Sequence, residues 1–92
     1  MTTHKSTIDA QISAIISAYN DELQSIVNNH KIASDLCYAN YLDALKDGKD
    51  NALALLMYNE NLLSIDNAFE SAIYKNSTKL DKAIAKLASS HA

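Results

Sequence analysis

Asp47-Gly48-Lys49-Asp50-Asn51 decides how this chain folds, because it holds the single glycine of a 92-residue sequence that contains no proline. Proline inside a helix removes a hydrogen bond and costs about 3 kcal/mol, and glycine costs about 1. Outside this stretch nothing interrupts a helix so strongly. The sequence therefore reads as all-α, with two long arms folded into a hairpin about Asp47–Asn51.

Working back from the turn, the first arm carries an apolar stripe of Ile8, Ile12, Ile15, Tyr19, Leu23, Ile26, His30, Ala33, Cys37 and Tyr41. These span 33 positions in nine steps, about 3.67 residues per step, which is the eleven-residue repeat of a straight or slightly right-handed rod. Ile16, Val27, Leu36 and Leu45 widen the stripe beyond a narrow seam. Thr7 is placed to cap this arm, so it is expected over about residues 7–47.

Working forward, Asp50 or Asn51 can cap a second arm over about 51–75, with Leu55, Tyr58, Leu62, Ile65, Phe69 and Ala72 as its stripe. Leu56, Leu63 and Ile73 form an adjoining face. Asn76, Ser77 and Thr78 are the weakest point, with Ser77 a plausible new cap and a short third helix expected from about Thr78, over about 78–90. Asn28–Asn29 is a softer break. Breaks at both points would give a compact four-helix bundle. The extended hairpin with one kink or break near Asn76 is the expectation.

Composition bounds the function classes. The chain is one domain, near the lower limit for a self-sufficient core. All eight basic residues are lysine and the net charge is −3, which argues against nucleic acid as a partner. One cysteine, Cys37, permits no internal disulfide and fits a reducing compartment. The polar start at Met1–Thr7 lacks the apolar region of a signal peptide, and no apolar run reaches 18 residues. A cytoplasmic location is expected.

Surface is the sharper inference. An unbroken arm of forty residues is about 60 Å long, and two such rods shelter only their facing strips. Ala52–Tyr58 reads ALALLMY, apolar on every side for nearly two turns. A helix apolar all round must be buried all round, and little else of the same chain lies just past the turn. Intermolecular packing follows, with Leu55, Leu56, Met57, Tyr58, Phe69 and Ile73 as the candidate assembly interface.

Charge is segregated. Residues 47–74 hold five acids and one lysine, a balance of −4, and residues 75–92 hold four lysines and one aspartate, a balance of +3. Lys75, Lys79, Lys82 and Lys86 share one helical face. Asp66 and Glu70 form a like-charge pair on another. These groups either pair between neighbouring subunits and set register or simply face solvent.

Candidate chemistry is thin. A calcium loop centred on Gly48 fails, since Leu45 and Ala54 fall where oxygen ligands are required. Asn76-Ser77-Thr78 matches the glycosylation pattern but reads more simply as a helix cap. His30 and Cys37 lie on one face without further ligands for zinc, and nothing is placed to activate Cys37, which reads as a small buried residue. No catalytic residue, metal or cofactor is expected. His30 is either a satisfied core histidine or a pH switch: burial on the stripe favours the neutral imidazole. A proton would then put charge into a packed seam and shift the assembly between neutral pH and about pH 5.

Ala52–Lys75, ALALLMYNENLLSIDNAFESAIYK, resembles the Reb or "killing trait" family, the subunits of bacterial refractile bodies (R-bodies). The likeness rests on Met57-Tyr58, on Ala68-Phe69 with its Phe eleven residues past the Tyr, on Glu70-Ser71 and on Ala72-Ile73. Family sequences carry more glycine in this segment and a glutamine-rich run after it, where this chain has Lys75, Asn76 and Lys79. The resemblance implies a protein without catalytic residues that polymerises with itself, and with small homologous subunits, into a coiled ribbon that in some cases extends in acid. A ribbon could touch a membrane only through such an extension. The leading expectation is thus a self-assembling structural subunit. The alternative is a small dimeric adaptor, chaperone or toxin-immunity protein, and a third reading lays the basic face of residues 75–87 on a membrane surface.

Overall fold

The computed structural model describes residues 2–90 and consists of two helices, α1 (Thr2–Lys46) and α2 (Asn51–Ser90), packed antiparallel as a hairpin. Its Cα atoms extend 71 × 17 × 8 Å. A helix's own Cα cylinder is about 4.6 Å across, so 8 Å leaves little room for one rod to wind around the other. The hairpin is a flat slab. Its straightness follows from the eleven-residue repeat, which holds each helical stripe on one side of the rod instead of drawing it into a left-handed supercoil.

The turn forms where glycine permits it. Gly48 adopts φ +79°, the left-handed region that costs other residues about 1–2 kcal/mol. Lys49 N–H donates to Ala44 O at 3.1 Å and Gly48 N–H to Leu45 O at 3.1 Å, the paired bonds of a Schellman ending. Asp50 starts α2: its Oδ1 accepts the Leu53 N–H at 2.9 Å, so Asp50 is the cap. A Cβ on residue 48 would meet no other atom within 4 Å, which leaves backbone strain as the whole effect of substitution. Gly48→Ala and Asp50→Ala are each expected to lower stability by about 1 kcal/mol, read as a shift in urea midpoint with unchanged slope.

Three boundary expectations are corrected. α1 starts at Thr2, so Thr7 lies within the helix and does not cap it. No break occurs at Asn28–Asn29, where Gln24 Nε2 donates to Asn28 Oδ1 along the helix at 3.3 Å. Most consequentially, α2 runs unbroken through Asn76, Ser77 and Thr78, and the expected third helix is its final stretch. The polar side chains there find partners that suit a helix. Thr78 Oγ1 bonds back to Tyr74 O at 3.0 Å, and buried Asn76 donates its Nδ2 across the seam to Tyr19 O at 3.1 Å.

The seam repeats every eleven residues in both helices. In α1 it is Ile15, Ile26 and Cys37, and in α2 it is Ala54, Ile65, Asn76 and Leu87. Four residues later come Tyr19, His30 and Tyr41, facing Tyr58, Phe69 and Leu80. Tyr41 stacks on Tyr58 with ring centroids 4.9 Å apart, and His30 lies tilted on Phe69 at 4.4 Å. Among the described residues only Ile26, Cys37, Ala54 and Asn76 are buried. Two helices side by side give no side chain a full shell of neighbours.

Candidate functional site

The broad sides of the slab differ, and the eleven-residue register explains how. A helix turns 100° per residue, so a residue three positions after a seam residue sits about 60° to one side of it. Ala18, Asn29 and Asn40 in α1, and Met57, Ala68, Lys79 and Ser90 in α2, occupy that position. Each of them lines one of four hollows along the hairpin, with volumes of about 360, 300, 370 and 310 Å³ from the open end towards the turn. Neighbouring hollows share Ile15, Ala83 and Glu22, which makes three of them one continuous groove. Ala33, Ala72 and Ala83 are small enough to keep its floor low.

On the opposite side the same arithmetic selects bulky residues in α1 and a mixed set in α2. One position after the seam, 100° the other way, stand Ile16, Val27 and Tyr38 in α1, and Leu55, Asp66, Ser77 and Ala88 in α2. Three positions before the seam stand Ile12 and Leu23, and Leu62, Ile73 and Ile84. None of these lines the hollows. Ile16, Val27, Tyr38, Leu55 and Ile84 are between 44 and 51% exposed, far more than a monomer gains from.

The expected interface residues divide among these surfaces. Leu55 and Ile73 lie on the bulky face, and Met57 lines the hollow nearest the turn. Leu56 stands on the outer edge with Leu63, more than half exposed. Tyr58 and Phe69 are used inside the hairpin instead, against Tyr41 and His30. The apolar ring of ALALLMY is buried only at Ala54. Sequence reasoning placed Leu55 on the inner stripe; the structure turns Ala54 inward, in register with Ile65 eleven residues on. That register was the signal able to phase the segment and to place Asn76 in the seam.

His30 is half-buried, and its Nε2 lies 2.9 Å from Asp66 Oδ1 across the seam. A carboxylate only accepts, so Nε2 carries the hydrogen in either charge state. An imidazolium at this position would lie beside a carboxylate and not in a wholly apolar seam. Asp66 is 57% exposed, so a double-mutant cycle of His30→Gln and Asp66→Asn is expected to give a coupling of about 0.5 kcal/mol, weakened by salt. A value near zero would mark the pair as energetically idle.

Asp66 is thus engaged within its own chain, while Lys79 and Lys86 line the groove. Cys37 is buried, with Sγ 3.8 Å from Tyr58 O. Among the described residues no group of three or more His, Cys, Asp or Glu side chains could hold a metal ion, and no helix is long and apolar enough to cross a membrane. No family model matches the chain, and no curated protein or solved structure matches it. The likeness to R-body subunits therefore stands on residues 52–75 alone.

Proposed function

We propose that this chain is a structural subunit that assembles with copies of itself, within the cell, into an extended ribbon of the R-body kind. One observation carries the reading. The chain exposes 6982 Å², whereas a compact monomer of its mass exposes about 5,300 Å². The surplus of about 1,700 Å² is roughly what two standard protein–protein contacts remove from one chain, at about 800 Å² each. Exposed Ile, Leu, Val, Met and Tyr side chains lie on both broad faces and on the outer edge.

A discrete dimer would cover one of those faces and leave the other bare, which favours continued assembly over the adaptor, chaperone or immunity reading. Acid-driven extension of such a ribbon rests on the resemblance. Electron microscopy of the purified protein, alone and co-expressed with the products of neighbouring genes, is the test. Ribbons or sheets are the expected result, and a uniform small oligomer would replace this reading with the adaptor one.

A further inference from the structure

We infer that copies of this chain stack face to back, the bulky face of one hairpin seated in the groove of the next. The inference rests on the self-assembly reading and names the surfaces that carry it. Such a contact is heterologous: it joins two different surfaces, leaves one of each free at the ends, and propagates unless its rotation closes a ring.

Form, charge and area each support a second copy as the occupant. Ile16, Val27 and Tyr38 rise every eleven residues along one face, and the groove positions Ala18, Asn29 and Asn40 recur at the same interval on the other. Both repeats measure about 16 Å along a helix, so the bulky side chains of one copy keep step with the hollows of the next over the stretch from Ile16 to Tyr38. Lys79 and Lys86 line the groove together with Glu22, and Lys75 and Lys82 share the helical face of the two lysines. Asp66 lies on the flank of α2 that carries Leu62, Ile73 and Ile84, with Glu70 beside it. Face-to-back stacking staggered by one eleven-residue repeat sets Asp66 level with residue 77 of the next copy, between Lys75 and Lys79, whereas pairing of bulky faces gathers Asp66 and Glu70 from both copies. A standard contact removes about 800 Å² from each partner, and an interior subunit of the stack makes two such contacts. Their sum meets the surplus area.

Two variants separate the modes. Ile16→Lys with Val27→Lys spoils only the bulky face, and Ala18→Lys with Ala68→Lys fills only the groove. All four positions are exposed in the single chain, so circular dichroism should show unchanged helix. Glutamine at the same positions serves if lysine perturbs folding. By sedimentation each variant alone is expected to fall at least a hundredfold in self-association, and an equimolar mixture to form a one-to-one dimer that grows no further. Self-pairing of either variant, with nothing gained on mixing, would overturn the face-to-back mode. A monomeric wild-type chain would instead remove the self-assembly reading itself.

Discussion

Met57→Asp and Leu55→Lys are each expected to abolish self-association while leaving the helix content of the hairpin intact. Met57 lines the hollow nearest the turn and Leu55 stands on the bulky face, 51 and 46% exposed respectively. A charge at either site stays solvated in the single chain and costs the fold little. In the assembly it must be buried against apolar side chains, at a cost of several kcal/mol. Since each 1.4 kcal/mol is tenfold in affinity, association should weaken by roughly a hundredfold to a thousandfold. Sedimentation of wild type and variants at matched concentration reads the effect. An unchanged oligomer in both variants would mean that the surface after the turn makes no contact between subunits.

Folding and assembly should be coupled, so that stability depends on concentration. Among the described residues no side chain falls below 2% exposure, and the core is a single seam between two helices. Helices draw most of their stability from such packing, and here each offers one strip. A chain at a hundred times its dissociation constant gains about 2.7 kcal/mol over the free monomer, which at this length is roughly 10–20 °C in Tm. Melting curves by circular dichroism across a hundredfold dilution should therefore move by that amount. A Tm independent of concentration would show a hairpin that stands alone, and would count against the surplus surface as the driving feature.

Much of the fold is legible residue by residue. The lone glycine set the turn, since Gly48 supplies the positive φ that the ending of α1 requires. The stripe from Ile8 to Tyr41 is buried or half-buried at every position except Ile12, which is 39% exposed. The second arm was harder because ALALLMY is apolar at every position, and a segment without polar residues has no phase to read. Asn76 misled for the opposite reason. Its amide bonds a carbonyl 57 residues earlier, and a local reading sees only a polar residue that favours caps and turns.

Sequence alone determined that the chain is helical, where it reverses and which side of α1 packs inward. These follow from local terms: backbone permissiveness at one glycine, absence of proline, and an apolar period near eleven residues. Tertiary structure decided what depends on two helices lying side by side in one register. It set Asp66 against His30, thirty-six residues apart, and carried α2 through Asn76. It also divided the exposed apolar residues into a bulky face and a groove. That division has no counterpart in either helix alone, because a hollow between two rods exists only once both have contributed a wall.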